Sequence, residues 1–165
     1  MKKILIAYSS KTGNTKKIAK AIQSGIEGSD SLDIKDIKNI EGYDLIVVGG
    51  WIDKGTFNIE TLEFIKNIKD KNVAFFFTLG AAANSDHAKD CAEKITSIFE
   101  ENGNKVVESF YCQGAIDPKL IEFMKQLPEG HVMAPTPERV QRWKEAALHP
   151  DEKDLEDAIK FARSL

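Results

Sequence analysis

Residues 8–22 read YSSKTGNTKKIAKAI. A short apolar run, Ile4 to Ala7, leads into Ser9-Ser10-Lys11-Thr12-Gly13-Asn14-Thr15. A helical pattern follows at once, with Ile18, Ala19, Ile22 and Ile26 on one face. The seven residues of the turn carry four hydroxyls and a glycine. A helix N-terminus presents unpaired backbone N–H groups and the positive end of its dipole. Ser10, Thr12 and Thr15 add donors, Gly13 permits close backbone approach, and together they suit a phosphate. A plain capped turn, with Asn14 or Thr15 as N-cap, needs one such side chain and leaves the rest unexplained.

The same residues narrow the phosphate ligand. The turn is not G-x-x-x-x-G-K-[ST], so a nucleoside triphosphate is not implied, and it is not the dinucleotide fingerprint G-x-G-x-x-G. It holds no cysteine, and no arginine precedes Arg139, which argues against a thiolate phosphatase. The third strand candidate ends in Gly49-Gly50 and not in an aspartate, so a phospho-acceptor receiver is not indicated. A small phosphate-binding module stays open on these residues alone.

Working outward, Leu45–Val48 and Val73–Phe77 join Ile4–Ala7 as continuous apolar runs, the pattern of strands buried on both faces. Helical stripes lie between and after them: Leu62, Ile65 and Ile68, then Ala88, Cys91, Ala92, Ile95, Ile98 and Phe99. Such alternation predicts an α/β fold with a parallel sheet between helix layers. Two further strands are mixed. SLDIKDI alternates Leu32 and Ile34 with Asp33 and Lys35, and KVVESFYC carries Glu108 and Ser109 in mid-run. Polar positions belong at sheet edges, which puts strands two and five outside and predicts the order 2-1-3-4-5. The order 2-3-1 also has strand two at an edge, and this argument does not exclude it.

The chain has 165 residues, a net charge of −3, 42% hydrophobic and 30% charged residues. That is the balance of a single domain with a real core, and it argues against nucleic-acid or membrane-surface partners. No apolar run approaches the roughly 20 residues of a membrane span. The opening MKKILIAYSS is read as a first strand and not a signal peptide, because its apolar run is short and enters the turn directly. Cys91 and Cys112 lack C-x-x-C spacing and read as buried thiols, so a cytoplasmic protein is expected. The three histidines and scattered carboxylates show no metal-ligand spacing. His87 sits at a helix start close to the third loop, within reach of a ligand there, but is expected simply to be exposed, and His131 and His149 border proline turns.

All five prolines fall between residues 118 and 150. Asp117-Pro118 and Thr136-Pro137 read as N-cap and first helical residue of two short helices. A last helix follows, with Leu155, Ala158, Ile159 and Ala162 on one face. The chain is thus expected to be one domain, residues 1–165, with a structured helical insertion at about 117–150. The insertion should start at the sheet end that carries the first turn, and cover the open edge of strand five. It also holds Arg139 and Arg142, and is a candidate docking face.

At this point the residues resemble a family. SKTGNT, residues 10–15, looks like the phosphate loop [ST]-x-T-G-x-T of flavodoxins, and VVGGWIDKGTFN, residues 47–58, supplies a second feature at the right place. In the order 2-1-3-4-5 the end of strand three lies beside the end of strand one, so Trp51 projects from a loop next to the first turn. The resemblance implies the five-stranded flavodoxin sandwich with FMN at the switch between strands one and three. It implies FMN contacts from three loops: Ser10, Lys11, Thr12, Gly13, Asn14 and Thr15; Gly50, Trp51, Ile52, Asp53 and Gly55; Thr78, Leu79, Gly80 and Ala81. Trp51 would stack on the isoalloxazine ring, and Gly55 would be the pivot of the second loop. Two departures stand out. The third loop offers Ala81-Ala82-Ala83 where many flavodoxins carry a covering tyrosine, and one extra residue separates Trp51 from Gly55. The function implied is an electron carrier that exchanges with a redox partner protein, with no catalytic side chain. The alternative on the same fold is an NAD(P)H-dependent FMN oxidoreductase acting on a quinone or other small acceptor. The tail, GHVMAPTPERVQRWKEAALHPDEKDL, resembles a flavodoxin-like subgroup of anaerobic bacteria, one member type of which accompanies a bilirubin reductase.

Overall fold

The apolar runs around the opening turn form the centre of a parallel sheet. A computed structural model describes all 165 residues. Its strands are β1 (Ile4–Tyr8), β2 (Asp30–Asp33), β3 (Leu45–Asp53), the two-residue β4 (Thr56–Phe57), β5 (Asn72–Leu79) and β6 (Lys105–Gln113). The helices are α1 (Asn14–Gly25), α2 (Ile59–Ile65), α3 (Asp86–Glu101), α4 (Pro118–Lys125), α5 (Pro137–Ala146) and α6 (Glu152–Arg163). The sheet order is β2-β1-β3-β5-β6, and every neighbouring pair is parallel. β4 stands outside that path and pairs antiparallel with β3. With β4 set aside, this is the expected 2-1-3-4-5 layout.

Residues on the central strands are buried alternately into two cores. Leu5, Ala7, Ile46, Val48, Phe75 and Phe77 pack with Ile65, Ile95 and Phe99 of α2 and α3. Ile4, Ile6, Val47 and Phe76 pack with Ile18, Ile22, Ala158 and Phe161 of α1 and α6. The period of two along each strand is what puts both sets inside, and it is why these strands read as continuous apolar runs.

Three elements depart from the sequence reading. β2 stops at Asp33 instead of running to Ile37. The Asp33 carboxylate accepts from the Lys35 N–H at 3.1 Å and caps a single 3₁₀ turn, Ile34–Asp36. Leu32 is left exposed. β3 runs through Gly49-Gly50 to Asp53, five residues past the apolar core Leu45–Val48 that ends at the glycines, so Trp51 sits on a strand paired with Thr78 and not on a free loop. Finally, α4 and α5 do not cover the edge of β6. The helices packed on β6 are α3 and α6. The edge is instead interrupted by a bulge, since Val73 pairs Val106 while the next residue, Ala74, pairs Glu108. Exposed Lys105, Val107 and Glu108 flank that break, a common way to keep an edge from pairing with another chain.

The caps form where the sequence places them. The Asp117 carboxylate accepts from the Lys119 N–H at 2.9 Å, and the Thr136 hydroxyl accepts from the Arg139 N–H at 3.1 Å, each with proline at the start of the helix. No helix is long and apolar enough to cross a membrane.

Candidate functional site

Every parallel strand delivers the chain at the same end of the sheet, and there a crevice of about 630 Å³ opens. Its first wall is the β1–α1 turn. Gly13 takes the N-cap position of α1 with φ 99°, a left-handed conformation open to glycine at little cost. It brings no capping side chain, and the first turn of α1 holds no acidic residue. The Ser10 hydroxyl accepts from the N–H groups of Gly13 and Lys16, both at 3.2 Å. The N–H groups of Asn14 and Thr15 donate to no protein acceptor. The positive end of α1 is therefore open, with free donors.

The second wall is the β3–β4 hairpin. Lys54 and Gly55 both have positive φ, 53° and 83°, between the paired residues Asp53 and Thr56. That is the two-residue turn whose twist suits an antiparallel pair, and it accounts for Gly55 without any role at a ligand. The extra residue after Trp51 thus lies in a built hairpin. Gly50 is there for packing, because a Cβ would stand 2.6 Å from Thr61 Oγ1 and 2.7 Å from Asn58 Oδ1.

Asn58 ties these walls together and was not singled out by its sequence context. It is 1% exposed. Its Oδ1 accepts from the Trp51 N–H at 3.1 Å and the Thr61 hydroxyl at 2.9 Å. Its Nδ2 donates to Ser9 Oγ at 3.0 Å and Glu60 Oε2 at 2.8 Å, so all of its side-chain capacity is used. The hydrogen bond from Asn58 is also the main reason the Glu60 carboxyl lies below its usual range. Asn58→Leu is expected to cost about 2–4 kcal/mol, because it strands buried donors and acceptors at roughly 1–3 kcal/mol each. A urea titration should show a lower midpoint at unchanged slope. A loss under about 1 kcal/mol would mean that water replaces the amide there.

The third wall is Thr78-Leu79-Gly80-Ala81, and the fourth is the chain after β6. Thr15 and Thr78 are buried and share a hydroxyl–hydroxyl bond of 3.1 Å between the first and third walls. Gly114 N–H donates to Leu79 O at 2.8 Å, Asn14 Nδ2 to Ala115 O at 3.0 Å, and Gln113 Nε2 to Gly80 O at 2.9 Å. Lys11 Nζ lies 3.1 Å from Asp117 Oδ2 and 5.9 Å from the centre of the Trp51 ring. These ties turn residues 114–117 over the sheet end, which is why α4 and α5 meet the crevice and not the β6 edge.

The crevice brings together Ser10, Lys11, Thr12, Asn14 and Thr15, then Trp51, Ile52 and Asp53, then Thr78, Leu79, Gly80 and Ala81. Gly13, Gly50 and Gly55 do not line it. His87 lines it; the sequence puts this residue at a helix start close to the third loop, and it is exposed there as expected. Leu120 and Met124 of α4, Val132 and Met133 of the following loop, and Arg139, Arg142 and Trp143 of α5 line it too. Nothing local in sequence marks those side chains as facing the crevice. Hydrogen-bonding and pairing to Lys119 and Lys11 hold the Asp117 carboxyl below the usual range, the backbone bond from Lys119 first. Burial raises the thiols of Cys91 and Cys112, so neither is poised as a nucleophile. His149, Asp151 and Asp154 lie close enough to suggest a metal site, but capping uses them. Asp151 and Asp154 each accept the other's N–H at 2.9 Å, and His149 Nδ1 meets Asp154 Oδ2 at 2.7 Å.

The flavodoxin domain model matches residues 5–163, nearly the whole chain. The chain belongs to the flavodoxin family. Among relatives, it is 34% identical over 174 aligned residues to the flavodoxin-like domain-containing protein BilS of Clostridioides difficile (strain CD3), covering 99% of this chain and 96% of that protein. A flavodoxin from the domain Archaea superposes with a TM-score of 0.62 over 98% of this chain and 94% of the other, at 19% identity. A flavoprotein of Lactobacillus acidophilus, solved in complex with FMN, superposes with a TM-score of 0.52 at 26% identity. Only 68% of this flavodoxin is needed to span 94% of that FMN-bound chain.

Proposed function

We propose that this flavodoxin binds FMN in the crevice and serves as an electron carrier that exchanges with a redox partner protein. The observation that carries the reading is the open N-terminus of α1: free N–H groups at Asn14 and Thr15, no acidic residue in the first turn, and the hydroxyls of Ser10 and Thr12 beside it. That donor set suits a phosphate and needs no arginine or lysine. Trp51 and Ile52 of β3, with Leu79 and Ala81 of the third wall, give the flat apolar surfaces that suit an aromatic ring. The flavin supplies the redox chemistry, and the protein supplies binding, exposure and the local field. A visible spectrum of the purified protein and a reductive titration test the reading. A flavin-free protein that takes up no added FMN overturns it.

Trp51 carries a separate expectation. With Trp51 against the ring, bound FMN should be nearly non-fluorescent. Trp51→Ala should brighten it several-fold and weaken binding by about 0.5–1.5 kcal/mol, the usual worth of an aromatic stack beyond buried area. Equal emission from the two loaded proteins would remove Trp51 from the site and leave it as packing for the end of β3.

A further inference from the structure

The fold leaves nine large apolar side chains exposed, and five of them, Leu120, Phe123, Val132, Met133 and Leu148, fall within residues 118–148. Val132 is 78% exposed and Leu148 73%. Leu120, Val132 and Met133 share the crevice wall, and exposed apolar side chains gathered on one surface mark an interaction site, whereas single ones do not. The same segment brings two arginines to the crevice. Arg139 donates from Nη1 to Ala134 O at 2.6 Å and meets no carboxylate, and exposed Arg142 has no partner. Of the two carboxylates on the crevice wall, Asp117 is already taken by Lys11, which leaves Asp53 alone against both arginines. Residues 118–148 as a whole carry Lys119, Lys125, Arg139, Arg142 and Lys144 against Glu122, Glu129, Glu138 and Glu145, with Glu122 paired to Lys125, so this face is weakly cationic on a chain whose net charge is −3. At 0.1 M salt charges act over about 10 Å, so an approaching molecule responds to this face and not to the total.

We propose that residues 118–148 form the docking face for the redox partner, and that the partner's own face is an apolar centre ringed by carboxylates. The proposal rests on the FMN-carrier reading above. Arginine amid exposed apolar side chains is the composition of a protein interface.

The experiment uses FMN-loaded protein, reduced without oxygen and mixed with either of two ions. Ferricyanide is a trianion and hexaammineruthenium(III) a trication. Each ion takes one electron, so two ions reoxidise each fully reduced flavin. The flavin phosphate adds negative charge to the loaded protein, so the arginines are read as a difference: relative to R139Q/R142Q, the wild-type ferricyanide rate should fall more, or rise less, with ionic strength, and the ruthenium rate should show the reverse. Poly-L-glutamate should also slow the ferricyanide reaction by covering the face, while acetate at equal carboxylate concentration and ionic strength should not. R139Q/R142Q takes the net charge of the chain from −3 to −3 − 2 = −5 and should shift the ferricyanide slope toward a rise with ionic strength and abolish the poly-L-glutamate effect. R139K/R142K should behave as wild type. Arg142→Gln alone, at an exposed and unpartnered site, should give part of the change even if loss of Arg139 loosens α5. Equal ionic-strength slopes in wild type and R139Q/R142Q overturn the proposal. So does acetate as effective as poly-L-glutamate, or a dimer in sedimentation that R139Q/R142Q dissolves. Failure to load FMN is seen in the spectrum before mixing and counts against the carrier reading instead.

Discussion

Gly49→Ala is expected to lower the melting temperature by about 5–10 °C, the largest effect of any one-methyl change in the sheet. Gly49 and Phe76 are cross-strand partners in β3 and β5, and the Phe76 ring lies across the glycine. An alanine Cβ would stand 1.9 Å from one ring carbon and 2.3 and 2.4 Å from two others. Those separations lie far inside contact distance, so the ring or the strand must move. The ring has nowhere to go: Phe76 is fully buried among Ile6, Ile18, Val47 and Phe161. Overfilling a close-packed core costs about 1–3 kcal/mol or more, and a chain of this size loses roughly 2–4 °C per kcal/mol. The control is Phe76→Leu in the same background. Alone it costs stability by leaving a void. Combined with Gly49→Ala it should restore part of the loss, because the void takes the methyl, and the pair should couple by about 1 kcal/mol or more. If Gly49→Ala melts within 2 °C of wild type, the glycine is not required by Phe76.

This pair also shows where the sequence stops being readable. Gly49-Gly50 marks the end of a strand by any local rule. The reasons for both glycines are distant side chains, Phe76 on one face and Asn58 and Thr61 on the other, and no window around residue 49 contains them. The β2 error has a local cause: Leu32 and Ile34 alternate as a strand should, yet the Asp33 carboxylate offers the backbone a turn instead. By contrast, Asp117-Pro118 and Thr136-Pro137 could be placed to the residue, because a cap is chemistry within three positions. The first turn was legible for the same reason, its hydroxyls and glycine being contiguous. The α4–α5 segment was half legible. The parallel direction of β6 places its start beside the crevice, but whether it then follows the β6 edge or crosses the sheet end depends on Asn14, Lys11 and Leu79, which lie 30 residues or more away in the chain.

Thr12→Val and Thr15→Val are expected to weaken FMN binding ten- to hundredfold, and to be told apart by the protein without FMN. Each valine removes a hydroxyl from the wall that faces the free N–H groups of α1. A hydrogen bond to a charged group is worth about 1.5–3 kcal/mol, which is that range of affinity. Thr12 is exposed and its hydroxyl has no protein partner, so Thr12→Val should leave the melting temperature of the FMN-free protein unchanged. Thr15 is 2% exposed and shares its hydroxyl with Thr78 at 3.1 Å. In Thr15→Val the Thr78 hydroxyl is buried without that partner, at a cost of about 1–3 kcal/mol, so the FMN-free protein should melt several degrees lower. Thr12→Ser keeps the donor and should keep most of the affinity. Saturating FMN stabilises the protein in proportion to the logarithm of its concentration over Kd. The rise in melting temperature on adding FMN should therefore shrink in both variants, as an independent reading of the same loss. Unchanged affinity in both variants would take the phosphate out of the first turn. A loss only in Thr15→Val, in step with its lower stability, would assign the turn to folding and leave the ligand to the other walls.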